Sequence, residues 1–280
     1  MLFVMHLRRA AVAGTWYPAG AAPLAAAVDR HLAEADAAGA EVRGDLVALI
    51  APHAGLMYSG PVAAHAYRLL RGRMFDVAVL VGPSHFAAFD GVALYPSGGF
   101  DTPLGAAHID ADCARAIAAA TPIVRDHPAV HAREHSLEMQ LPFLARLAPA
   151  VPIVPLLMGN QTAGTAAALA GALAVALRGR RALLVASTDL SHYHDAATAA
   201  ALDRIVIDCV ARFDADALQA ALDAKPEHAC GGGPTVAVMR AARAAGARDA
   251  VILDYADSGD VSGDKSAVVG YLAAALGNFA

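Results

Sequence analysis

Three short apolar runs decide the fold: residues 46–52 (LVALIAP), 77–84 (VAVLVGPS) and 182–188 (ALLVAST). The first runs directly into His53, the second into His85, and the third into Asp189 and His192. Apolar runs of this length, punctuated by Gly and Pro, read as buried strands. In an open parallel α/β sheet, the residues just past the carboxyl ends of the strands line one shared crevice. If the three runs belong to one such sheet, two imidazoles and an Asp–His pair converge in space although they are far apart along the chain.

The surrounding sequence alternates helical and strand patterns. Helices are predicted over 22–38, 59–70 (with Pro61 in the first turn), 110–120, 136–147, 163–177, 195–212, 214–224 and 234–245. In the fourth of these Ser136 is the candidate cap, with Glu138 near its positive end; Thr162 is the candidate cap of the fifth. Strands, the three runs included, are predicted over 45–51, 76–82, 91–95, 151–158, 182–187 and 251–255, and 266–275 reads as either a strand or a helix. Strands that alternate with helices imply an α/β architecture. The expectation is a three-layer sandwich with a mostly parallel but mixed central sheet, because 91–95 and the C-terminal segment lack a crossover helix on one side. Without repeats or linkers, residues 1–280 read as a single domain.

Composition narrows the function. Apolar residues make up 57% of the chain but aromatics only 6%, so packing rests on alanine and branched aliphatics. The net charge is −5 and the densest basic run is 178–181 (RGRR), which suits a helix C-terminus. A basic stripe for nucleic acid is absent. Residues 1–10 place their charges after a short apolar stretch, unlike a signal peptide. The longest apolar stretch, 163–177, is shorter than the roughly 20 residues that span a bilayer. Cys113, Cys209 and Cys230 show no paired spacing, which points to a reducing compartment and a cytoplasmic protein.

The candidate chemistry sits at the strand ends. His53 and His85 lie among Gly and Pro at matching positions. Asp189 and His192, three apart, can face each other on a helical turn, so that Asp189 holds His192 in one tautomer. Cys230 precedes three glycines and a helix, a setting that lowers a thiol's pKa and lets backbone approach closely. Residues 134–138 (EHSLE) form a dense polar cluster that suits an orienting role, substrate binding or a cap. Residues 254–260 superficially resemble a calcium loop but lack its spaced downstream Glu. A serine nucleophile is disfavoured because the G-x-S-x-G elbow is missing. Two readings remain open: Cys230 as a nucleophile beside His53 or His192, or His53, His85 and Cys230 as three metal ligands. Nitrogen and sulfur donors together suit Fe(II), Cu or Zn.

Six blocks, taken together, resemble the Memo-like family, called in prokaryotes the AmmeMemoRadiSam system protein B. They are 14–18 (GTWYP), 51–55 (APHAG), 82–85 (GPSH), 134–142 (EHSLEMQLP), 187–192 (STDLSH) and 229–231 (ACG), in this order along nearly the whole chain. The resemblance implies a fold similar to class III extradiol dioxygenases and a metal site at His53, His85 and Cys230. Those enzymes use a carboxylate where this chain has a cysteine. Gly232-Gly233 replaces a bulkier Arg-His of animal members and is expected to reshape the pocket mouth. The function implied is a non-haem iron (or copper) dependent oxidoreductase acting on a small organic substrate. The alternative is a ligand- or peptide-binding protein that keeps the cleft without turnover. His192 and Asp189 are then the catalytic pair, and Tyr58, Glu134 and His135 line the substrate pocket. The system name suggests a radical-SAM protein and a third small protein as partners.

Overall fold

A computed structural model of the chain describes residues 6–39 and 41–280. The apolar stretch at residues 1–5 lies outside them. In chain order the strands are β1 (Leu7–Arg8), β2 (Gly44–Ala51), β3 (Val77–Pro83), β4 (Val92–Leu94), β5 (Gly99–Phe100), β6 (Ala107–His108), β7 (Val124–Asp126), β8 (Ile153–Met158), β9 (Ala182–Ser187), β10 (His192–His194), β11 (Asp249–Asp257) and β12 (Val268–Phe279). The helices are α1 (Ala21–Ala38), α2 (Leu56–Tyr67), α3 (Ala111–Ala120), α4 (Pro128–His131), α5 (Leu141–Leu147), α6 (Ala163–Ala176), α7 (Ala196–Ala211), α8 (Ala215–Ala224), α9 (Gly232–Ala244) and α10 (Gly259–Ser262).

The main sheet runs β10-β12-β2-β9-β3-β8-β4-β7, with β11 also paired to β12. Its centre, β2-β9-β3-β8, is parallel. Antiparallel pairings join β12 to β2, β10 and β11, and β4 to β8. A small separate sheet orders β1-β5-β6.

Period-two alternation divides the buried strand residues between two cores. Leu49, Ala51, Leu80, Leu183 and Val185 face α1, α2 and α5. Ala48, Ile50, Val79, Val81, Leu184 and Ala186 face α3, α6, α7, α8 and α9. The result is helices on both faces of a mixed sheet. Alanine makes the layers thin: Ala166, Ala170, Ala237 and Ala241 are buried where α6 packs on α9.

Several elements depart from the sequence pattern, each for a local reason. Helix α2 starts at Leu56 rather than 59, so Pro61 lies inside it and not in its first turn. The carbonyl deprived of its partner belongs to Met57, an exposed residue, where water can solvate it. The helix predicted over 136–147 begins only at Leu141, after a 3₁₀ turn at Glu138–Gln140. Pro142 favours a helix start there, and Ser136 is no cap: its hydroxyl donates to the Pro83 carbonyl at 2.9 Å. The C-terminal segment is a twelve-residue strand. Thr162 does cap α6, accepting from the Thr165 amide. In the calcium-like loop, the Lys265 ammonium sits between Asp257 and Asp260 at 2.8 and 2.6 Å, in a cation's place. Among the described residues no helix is long and apolar enough to cross a membrane.

Candidate metal centre

The three strands whose ends carry the polar residues are immediate neighbours in the order β2, β9, β3. Their carboxyl ends bring His53, Asp189 and His85 to one edge, as the strand-end rule requires. Cys230 arrives from the far side of the sheet, on the turn that opens α9. The result is a group in which one donor atom each from His53, His85 and Cys230 lies within 4.8 Å of the others. The Cys230 Sγ is 3.2 Å from the His53 Nε2.

Hydrogen bonding decides which ring nitrogens face this point. The Ser187 hydroxyl donates its one hydrogen to the Ser136 carbonyl at 2.7 Å and accepts from the Gln140 amide at 2.8 Å. It is also 2.8 Å from the His53 Nδ1. With its hydrogen already spent, Ser187 can only accept there, so His53 carries its proton on Nδ1 and leaves Nε2 bare. His85 places Nδ1 2.9 Å from the Glu134 Oε1. Burial alone would raise the Glu134 pKa. The His85 contact and charge, with backbone N–H groups of His85 and Ser136, outweigh it and bring the pKa down to about 2. An ionised carboxylate only accepts, so His85 also offers Nε2. His192 sets Nδ1 2.8 Å from the Leu190 carbonyl, which likewise leaves its Nε2 free. Burial, then the neighbouring imidazoles, pushes the His53 pKa well below the usual value, so the ring is neutral.

The thiol differs from expectation. Burial first, and the Asp189 charge second, push the Cys230 pKa up rather than down. The helix start offers it little, because nearby amides are already taken: Gly231 N–H by Thr188 Oγ1 and Gly233 N–H by Gln161 Oε1. The sulfur accepts the Asp189 amide at 3.3 Å, and its S–H donates to the Asp189 carbonyl oxygen at 3.6 Å. This counts against an activated free nucleophile. The three glycines that follow Cys230 are buried, where a side chain would meet the fold. A Cβ on Gly231 would fall 2.3 Å from the Ser187 carbonyl oxygen, and one on Gly232 2.5 Å from Leu222.

Asp189 and His192 are not paired as predicted. Residues 189–192 follow β12 instead of making a helical turn: Leu190 N–H donates to the Gly270 carbonyl and Gly270 N–H to Ser191. Asp189 Oδ1 instead accepts the His53 backbone N–H at 2.7 Å, pinning the ligand loop after β2. Burial raises the Asp189 pKa to about 7. His192 is steadied from the other side by Asp203, a buried carboxylate on α7 absent from the sequence reading. Its Oδ1 accepts the Ser191 N–H at 2.9 Å and its Oδ2 the Tyr255 hydroxyl at 2.8 Å.

The polar cluster at 134–138 is structural support for the centre. Glu134 receives the backbone N–H groups of His85, His135 and Ser136 besides the His85 ring. Its oxygens are spent, so it orients His85 and is not free for substrate. Glu138 is wholly buried and accepts from Arg8, from the Ala11 and Val12 amides and from the Tyr17 hydroxyl. It thereby straps residues 8–17 against the site. That strap lays Trp16 on His135 with centroids 4.2 Å apart, and His135 stacks on His85 at 4.5 Å. Burial lowers the His135 pKa to about 4. Tyr58 is half-buried against the core on the α1, α2 and α5 side of the sheet and makes no hydrogen bond to a ligand residue. Each imidazole loop ends on one exposed apolar side chain: Met57 after His53, Phe86 after His85 and Tyr193 after His192.

The family model for Memo-like protein matches residues 8–275. A MEMO1 family protein of Methanothermobacter thermautotrophicus is 38% identical, over 95% of this chain and 98% of its own. One from Methanosarcina mazei is 39% identical over 96% and 98%. One from Nitrosopumilus maritimus is 31% identical over 95% and 98%. Among solved structures, an uncharacterized protein from Escherichia coli K12 shares the fold with a TM-score of 0.51 and 18% identity, covering 81% of this chain and 99% of that one. Matched from end to end in this way, the chain belongs to the Memo-like family.

Proposed function

We propose that His53, His85 and Cys230 hold one metal ion, Fe(II) first and copper or zinc otherwise, and that the protein is an oxidoreductase acting on a small organic substrate. The observation that supports this best is the bare His53 Nε2 3.2 Å from a thiol with a His85 nitrogen in the same group, each ring fixed by a partner on its own Nδ1. That is the support a metal-binding histidine usually has. Three protein ligands leave positions open. Bound Fe(II) or Cu would supply one-electron chemistry with O₂ at those positions.

The chain's own residues do the rest. Asp189 and Ser187 hold His53 by its peptide and its ring, and Glu134 does the same for His85. His192 presents a free Nε2 beside the ligands and is placed to take a proton from substrate or return it. Asp189 acts as a positioning residue. Met57, Phe86 and Tyr193, each exposed and within four residues of a site histidine, favour an apolar or aromatic substrate.

The test is elemental analysis of anaerobically purified protein, followed by oxygen uptake over phenols, indoles and catechols. One metal per chain, lost in His53→Ala, with uptake on at least one substrate is the expected result. Metal content unchanged by His53→Ala overturns the site. Bound metal without uptake favours the second reading, a non-catalytic binding protein, for which the exposed Met57, Phe86 and Tyr193 side chains are the supporting observation.

A further inference from the structure

Helix α9 begins without a cap of its own. Its N-cap is Gly231, which has no side chain to offer, and the close Ser187 carbonyl leaves room for none. The first-turn amides of a helix nevertheless need partners. One comes from another part of the fold. Gln161, between β8 and α6, sets its Oε1 2.8 Å from the Gly233 N–H. Its Nε2 is 2.7 Å from the Cys230 carbonyl oxygen. The orientation of this amide is forced, because Cys230 O can only accept and Gly233 N–H can only donate. One side chain therefore grips both ends of the turn that carries the thiol.

The fit is reciprocal. A Cβ on Gly233 would fall 2.8 Å from the Gln161 Cβ and 3.1 Å from its Oε1. Gly233 is thus bare where Gln161 passes. On the other side, Cys230 N–H donates to the Asp189 carbonyl and Asp189 N–H to the sulfur. Asp189 and Gln161 hold the cysteine from opposite sides.

We infer that Gln161 is a positioning residue for Cys230, an external cap that turns the sulfur toward the two imidazoles. The inference deepens the metal-site reading, and the part concerning metal rests on it. Removing the grip lets the turn relax and the sulfur drift, while both histidines, held by Ser187 and Glu134, stay in place.

The experiment compares wild type with Gln161→Leu, Gln161→Glu and Cys230→Ala, with Thr162→Ala as a control for local destabilisation. Each is loaded with Co(II), and the thiolate-to-cobalt charge-transfer band is read beside the dissociation constant. Gln161→Leu is expected to lose more than half of the band per bound metal and to weaken binding roughly 10- to 100-fold, the usual scale for a residue supporting a ligand. Gln161→Glu keeps the acceptor for Gly233 but sets an oxygen against the Cys230 carbonyl, so it should also lose band intensity. Thr162→Ala should lose stability and keep the band. If both Gln161 variants fold and keep the wild-type band and affinity, the inference is overturned. If wild type and Cys230→Ala give the same spectrum, the metal reading of Cys230 fails. The positioning role is then decided by the alkylation rate of Cys230 in metal-free protein: several-fold faster in Gln161→Leu supports it, and equal rates end it.

Discussion

Glu134 holds His85 twice over: Oε1 lies 2.9 Å from the ring Nδ1, and Oε2 accepts the residue's own backbone N–H at 2.6 Å. One buried carboxylate thus sets both the peptide and the ring of a proposed ligand. In Glu134→Gln, an amide N–H₂ must face at least one of four donors, which leaves buried groups unpaired at about 1–3 kcal/mol. Metal affinity should fall roughly 10- to 100-fold. Competition against a chromophoric chelator measures it, and a folded variant with wild-type affinity would remove Glu134 from the site.

Tautomers give a test that needs no metal. His53, His85 and His192 should each carry hydrogen on Nδ1, set by Ser187, Glu134 and Leu190. Long-range ¹⁵N–¹H spectra of metal-free protein at neutral pH distinguish the two forms. In Ser187→Ala the His53 signal alone should change. An Nε2-protonated His53 in wild type would mean that Ser187 donates to the ring and not to the Ser136 carbonyl.

The crevice was legible because its strand ends are marked: an apolar run that stops on a histidine is a local signal. Its supports were harder to read. Arg8 and Glu138 meet across 130 positions, and nothing near either names the other. Yet Glu138 stands within an apolar stretch (LEMQLPFL), where an isolated charge has to find a partner. Asp203 was legible in the same way, since Ala199, Val206 and Val210 share its buried helical face. Gln161 carried no such signal, because its role appears only once α9 is found to lack a cap. Pairing Asp189 with His192 failed because a helical spacing was applied to a segment that follows the edge of β12.

The Arg8–Glu138 pair predicts a large stability loss. Both side chains are buried, and Glu138→Ala leaves the guanidinium uncompensated, a cost of about 3–5 kcal/mol. It also frees the strap bearing Trp16, the one tryptophan in the chain. Its fluorescence should shift to the red at denaturant concentrations that leave the far-ultraviolet circular dichroism native. Coincident loss of both signals would mean that strap and core unfold as one unit.

His131 predicts part of the acid limb of stability. It is buried, its ring Nε2 is 3.1 Å from the Ala93 carbonyl, and burial lowers its pKa to about 3. The unfolded chain takes up a proton near pH 6.5 that the folded ring refuses. This contribution is therefore complete above pH 6.5 and is lost as the pH falls toward 3, at up to about 1.4 kcal/mol per unit. Glu134 acts in the same direction but only below its ordinary value of 4.5. His131→Gln keeps a donor for Ala93 and removes the titration. Urea unfolding between pH 7 and 5 should fall less steeply in the variant, and parallel curves would assign the acid limb elsewhere.

Tyr193 ties stability to function in opposite directions. Its φ is +64°, in the left-handed region that bulky side chains avoid at a cost of about 1–2 kcal/mol. The side chain is 78% exposed, and among the described residues its one ring contact is with His192, so little there offsets that cost. Strain of this kind beside a site points to a contact made outside the folded chain. Tyr193→Gly should therefore raise the melting temperature by about 2–4 °C, the shift that roughly 1 kcal/mol brings in a domain of this size. Metal affinity should stay at the wild-type value, because no ligand moves. Oxygen uptake with the best aromatic substrate should fall, since the exposed aromatic ring beside His192 is gone. A glycine variant no more stable than wild type would show that the turn is held by the protein's own packing, and a more stable one with undiminished uptake would take Tyr193 out of substrate contact.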